Sequence, residues 1–142
     1  MTNKIIPSQN ITVDTVKEAL QNAFRNIRIY NPDPAVSHVF TVDFWDIDVT
    51  VSVDINRGTI KMFAFLYPQA SSKEALILHA NYLNNHYGWA RFMVEENPYD
   101  DEDSYRIFAD HILHETTVLN PHIFTRVLCK FHDTVSLAER EM

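Results

Sequence analysis

The sequence predicts an α+β fold: an antiparallel sheet with helices packed mainly on one face, in the order α-β-β-β-α-β-β-α. Three observations carry this. Apolar residues recur at helical spacing in three segments and with a period of two in the segments between them. The six prolines and two glycines all fall between these periodic runs, where a missing backbone donor or a loss of backbone entropy does least harm. The strands come in groups of three and two rather than alternating singly with helices, which excludes a parallel nucleotide-binding sheet.

Each element has its own warrant. Val13, Val16, Leu20, Phe24 and Ile27 make one apolar stripe, so a first helix is expected from about Thr12 to Ile27. His38 to Phe44, rich in β-branched and aromatic residues, reads as a strand. From Asp46 to Ile55 the alternation places Ile47, Val49, Val51, Val53 and Ile55 on one face and Asp46, Asp48, Thr50, Ser52 and Asp54 on the other. The apolar phase slips near Trp45, so a turn or bulge is expected there. Asn56-Arg57-Gly58 then turns the chain into a strand from Thr59 to Tyr67. A second helix follows from about Ser72 to Tyr87, with Ser71 and Glu74 as a capping box and Gly88 as a left-handed residue after its end. Trp89 to Glu95 and Ser104 to His111 read as a hairpin around an acidic tip, EENPYDDED. Asn120 as N-cap and Pro121 at the first position open the last helix. One domain is expected over residues 8–140.

Composition bounds the function. The 142 residues are 46% hydrophobic and 22% charged, enough to build a core without a metal or disulfide. The formal charge is −7, which counts against nucleic acid or an anionic membrane as partner, because both require a concentrated basic footprint. The N-terminal MTNKIIPSQN has no apolar signal core, and no run is long enough for a membrane helix, so a cytoplasmic location is expected. The single cysteine, Cys129, lies in an apolar-periodic stretch and reads as a structural thiol.

The element order is joined by two segments, HANYLNNHYGWARFMVEE, which contains Asn81 and Asn84, and LNPHIFTRVLCKFHDTVSLAE. With the strand pair between them, they resemble the type III secretion chaperone-like fold and, within it, the YbjN family of bacterial proteins. The resemblance in order covers nearly the whole chain. It implies a regulatory or chaperone-like binding module and brings no catalytic residue with it.

No constellation demands chemistry. Asp110, His111, His114 and Glu115 could gather a metal on a helix, but on a strand Asp110 and His114 point away from His111 and Glu115. The seven histidines are dispersed, which favours structural roles over a pH switch; His79 and His86 fall near the boundary of the second helix's buried face. Glu95, Glu96, Asp100, Asp101, Glu102 and Asp103 lack the glycine and ligand spacing of a calcium loop and read as a solvated tip. With two glycines in the chain there is no phosphate-binding loop, and Ser71 and Ser72 have no His and Asp around them. Neither catalytic residues, nor metal ligands, nor a cofactor are expected.

The informative anomaly is the third strand, apolar on both faces. A three-residue turn at Gly58 would send Phe63 and Phe65 into the core and leave Ile60, Met62 and Leu66 as a protein-binding stripe. A two-residue turn would instead expose Phe63, Phe65 and Tyr67. Large apolar patches mark interaction sites when no element of the chain covers them. The expectation is therefore a non-enzymatic protein-binding or regulatory module that forms a homodimer and binds a further protein. A dedicated secretion chaperone holding an extended client and a metal-dependent hydrolase using His111 and His114 are the alternatives.

Overall fold

The structure, a computed structural model, describes residues 5–24, 27–31, 33, 35–68, 72–98, 104–113 and 118–141. In chain order the elements are β1 (Ile6–Pro7), a 3-10 turn (Ser8–Asn10), α1 (Val13–Ala23), β2 (Arg28–Tyr30), β3 (Val39–Asp43), β4 (Asp48–Asp54) and β5 (Thr59–Leu66). They are followed by α2 (Lys73–His86), β6 (Arg91–Glu96), β7 (Tyr105–Leu113), β8 (Val118–Leu119) and α3 (Pro121–Arg140). Six strands form one antiparallel sheet in the order β2-β3-β4-β5-β7-β6, and β1 pairs with β8 in a separate two-stranded ribbon. The predicted fold class and the order of its main elements are those observed.

Three short strands go beyond the expected order. The first helix stops at Ala23 rather than continuing to Ile27, and Phe24 is already extended at φ −123°. Arg28, Ile29 and Tyr30 instead pair with Asp43, Val42 and Thr41 along the edge of β3. Phe24 and Ile27 still pack on the core, so the apolar spacing was sound but served a strand entry as well as a helix. The expected slip at Trp45 is a turn in which Trp45 takes φ 76°, with its N–H donated to Asp43 Oδ1 at 2.8 Å.

Two caps differ from expectation. Ser72, not Ser71, is the N-cap of α2, its hydroxyl accepting from the Ala75 N–H; Ser71 lies outside the described residues. Tyr87 ends the helix in an extended conformation, and Gly88 is not left-handed. The cap of α3 is as predicted: Asn120 Oδ1 accepts from the His122 and Ile123 amides, at 3.0 and 3.2 Å.

The register of β4 and β5 decides where the apolar anomaly goes. Asp54 pairs with Thr59, so the loop is Ile55 to Gly58, four residues long, with Gly58 left-handed at φ 63°. This reverses the faces expected from a three-residue turn. Val53 opposes Ile60 and Val51 opposes Met62, placing Ile60, Met62 and Leu66 in the core at 1, 0 and 0% exposed. Ile55, assigned to the buried face by alternation, sits in the loop and is exposed. All three helices contribute to one hydrophobic core on this face of the sheet: Val16 and Leu20 of α1, Leu76 and Leu83 of α2, and Phe124, Leu128, Phe131 and Val135 of α3. No helix among the described residues is long and apolar enough to cross a membrane.

Candidate functional site

Because side chains alternate along a strand and directly paired residues share a face, the register also defines the opposite, open face. It carries Lys61, Phe63 and Phe65 of β5, Arg106, Phe108 and Asp110 of β7, and Arg91, Met93 and Glu95 of β6. Phe63, Phe65 and Phe108 form a triangle with ring centroids 5.6 to 5.7 Å apart. All three are half-buried although the helices pack on the other side.

Two cations cover the rings. Arg106 lies flat against Phe65, its guanidinium carbon 3.6 Å from the ring centroid, and Lys61 Nζ sits 4.8 Å from the centroid of Phe108 and 5.5 Å from that of Phe63. Each such contact contributes about 0.5–2 kcal/mol, the more so where the cation is desolvated. Arg106 is itself 6% exposed. It donates from Nε to Glu95 Oε1 at 2.6 Å and from Nη1 to the Tyr67 hydroxyl at 3.2 Å.

Asp110, only 2% exposed, is the second anchor of this face. Arg91 holds it bidentately, Nε to Oδ1 at 3.1 Å and Nη2 to Oδ2 at 2.9 Å, and Lys61 Nζ lies 3.9 Å from Oδ2. A carboxylate out of water needs such partners. The hydrogen bonds and charge of Asp110 in turn hold the Arg91 guanidinium above its ordinary value. The β5-β7-β6 half of this face is therefore an apolar patch whose two carboxylates, Glu95 and Asp110, are each engaged by an arginine.

The other face of β7 takes His111, as the strand reading requires. It opposes Met62, and its ring stands 6.0 Å from that of Trp89. Burial pushes its imidazole below the ordinary value, against the opposing charge of Asp110 and a backbone hydrogen bond with Trp89. His114, Glu115 and Asp100 to Asp103 lie outside the described residues; Glu95 and Glu96 stand in β6. Among the described residues no three His, Cys, Asp or Glu side chains come together as a metal site. Cys129 is half-buried on α3, where burial first and then the charge of Asp133 push its thiol up. His79 is half-buried and stacks near Tyr82, which stacks on His86 at 3.9 Å.

Sequence reasoning missed a polar centre at the β3–β4 turn. His132 Nε2 donates to Asp46 Oδ1 at 2.7 Å, Ser136 Oγ donates to Asp46 Oδ2 at 2.6 Å, and the His132 ring stacks on Phe44 at 4.3 Å. Burial acts to raise the Asp46 carboxyl, but the hydrogen bonds from Ser136 and His132, the His132 charge and the Ile47 amide outweigh it and hold the pKa at about 2. Ser, His and Asp meet here without the order of a hydrolytic triad. Both Ser136 and His132 donate to the carboxylate, so the histidine is not placed to take the serine proton. The centre ties α3 to the hairpin.

Asn84, one of the two asparagines in the quoted helix end, closes part of a sheet edge. Its Oδ1 accepts from the Phe92 N–H at 2.8 Å and its Nδ2 donates to the Phe92 carbonyl at 2.9 Å. A side-chain amide thus occupies the place of a neighbouring strand on β6, the last strand of the sheet.

The fold and this surface define a class: an α+β module with one sheet face buried under helices and one left as a flat aromatic and charged surface. Its structure is similar to that of YbjN, described as a candidate transcription regulator from E. coli, with a TM-score of 0.73 over 92% of this chain and 90% of that one. The two are 13% identical, so the similarity is one of fold. The chain has a YbjN-like fold. No family model and no curated protein matches the sequence.

Proposed function

We propose that this chain is a non-enzymatic, regulatory protein-binding module that acts through the open face of its sheet, with a second copy of itself as the first occupant. The observation that carries the reading is the aromatic triangle of Phe63, Phe65 and Phe108, which lies on the face away from the helices and is shielded by Lys61 and Arg106.

Charge placement favours self-association. On the β5-β7-β6 half, Lys61, Arg91 and Arg106 face Glu95 and Asp110; on the β2-β3-β4 half, Asp43, Asp48 and Asp54 face Arg28 and, from the loop after β4, Arg57. The two halves carry unmatched charges of opposite sign. A two-fold axis through the middle of the face would lay each half on the other, with like aromatic surface at the centre. Regulation by protein contact also fits the formal charge of −7 better than direct DNA binding does.

Light scattering tests this. The wild-type chain is expected at dimer mass, and Phe65→Asp at monomer mass with an unchanged circular dichroism spectrum. A wild-type chain that stays monomeric at high concentration overturns the self-association.

A further inference from the structure

A second site lies on the far side of the molecule from the open face and is independent of it. Between α1 and α3 there is a cavity of about 440 Å³, within the range of small-molecule sites. Ala19, Ala23 and Phe24 of the α1 end and Cys129 of α3 give it an apolar floor. Arg126 and Lys130 stand on its wall, four residues apart on the same face of α3. Neither has a hydrogen-bond, ion-pair or ring partner among the described residues, although the protein carries an excess of acidic groups. Like charges one turn apart repel, and an anion seated between them would relieve that repulsion. Asp133, which also lines the cavity, lies 3.2 Å from His132 Nδ1 and is turned partly to that ring.

We propose that this cavity binds a small amphipathic anion of the alkyl carboxylate class, its tail on Ala19, Ala23 and Phe24 and its carboxylate between Arg126 and Lys130. Two features select this class. An apolar floor next to paired cations discriminates against a neutral alkyl chain, which leaves the cations unmatched, and against a bare inorganic anion, which leaves the floor wet.

Cys129 supplies the readout, because it is the only cysteine of the chain and lines the floor of the cavity. Its raised pKa makes iodoacetamide alkylation at mildly alkaline pH the suitable measurement. Decanoate at about ten times its Kd is expected to slow alkylation about tenfold, by simple occupancy. Decanol and inorganic phosphate are expected to leave the rate within about twofold of that of the free protein. The double variant Arg126→Glu/Lys130→Glu changes two exposed positions, so its circular dichroism should match the wild type. Carboxylates beside Cys129 push the thiol further up and slow its free alkylation, so protection is read as the ratio of the rates with and without decanoate. Decanoate should no longer protect it. Absence of protection by decanoate, equal protection by decanol, or undiminished protection of the double variant would each overturn the proposal.

Discussion

The two faces of β5 answer the same problem in opposite ways. Ile60, Met62, Ala64 and Leu66 point to the helices and are at most 2% exposed. Lys61, Phe63 and Phe65 alternate with them, face away, and reach only half-burial. On the first face apolar atoms are removed from water by other apolar elements of the chain. On the second they are removed by the flat guanidinium of Arg106 and the stem of Lys61, whose charged ends stay hydrogen-bonded or ion-paired. A layer of single side chains can be displaced by a partner; a packed helix cannot be displaced without unfolding. Strand register alone therefore separates a residue that holds the fold from a neighbour available for contact.

The sharpest way to break this comparison is to place one charge on each face. Met62→Asp or Leu66→Asp buries an unpaired carboxylate in the core and should cost more than about 4 kcal/mol, so the chain is expected not to fold. Phe65→Asp should lose only the ring and cation contacts, about 2 kcal/mol, and keep its circular dichroism spectrum. Equal unfolding of both would erase the distinction between the faces.

Next in size is the ion pair that the exposed Arg91 makes with the buried Asp110. Arg91→Ala leaves Asp110 with Lys61 alone at 3.9 Å, and an expected loss of about 3 kcal/mol should be read by urea denaturation. The variant Arg91→Ala/Asp110→Ala should recover much of that, because the carboxylate without its partner is the larger cost.

At the sheet edge, Asn84→Ala leaves the Phe92 N–H and carbonyl without their partner. A loss of about 1–2 kcal/mol is expected, with faster amide exchange at Phe92 as the local check. If Asn84 also guards the edge, this variant should associate at concentrations where the wild type keeps its mass.

The smallest effect belongs to the half-exposed Asp46, which fixes the helix-covered side to the hairpin. Its folded pKa of about 2 lies below the ordinary 3.8. The stability it supplies is therefore fully present above about pH 4 and is lost as pH falls through about 2. Asp46→Asn should be less stable than wild type at neutral pH, and the difference should shrink on acidification across that window. A gap that stays constant with pH would remove the linkage.

Much of the fold was legible because periodicity reports local geometry. The stripe Phe124, Leu128, Phe131 and Val135 can bury one side only as a helix, and Val49, Val51 and Val53 can do so only as a strand. Asn120-Pro121 marks a helix start from the chemistry of two residues. The early end of α1 was less legible, since Phe24 and Ile27 suit a helix stripe and a core-facing approach to β2 alike; pairing of Arg28 to Tyr30 with β3 settled it. The candidate stripe at Ile60, Met62 and Leu66 went to the core because the turn at Gly58 has four residues rather than three, and one residue of register moves every side chain to the other face.

The sequence by itself determined the three helices and the five longer strands, the antiparallel α+β class, and the presence of one strand with two apolar faces. Those follow from the chemistry of neighbours a few residues apart. Only the tertiary structure decided which face of that strand the helices cover, and that Asp46 meets His132 and Ser136 across 86 and 90 residues of chain. It alone placed the α1 end against α3 to form the cavity beside Arg126 and Lys130. Such contacts depend on the sum of every turn between the partners, and no local pattern of residue types encodes that sum.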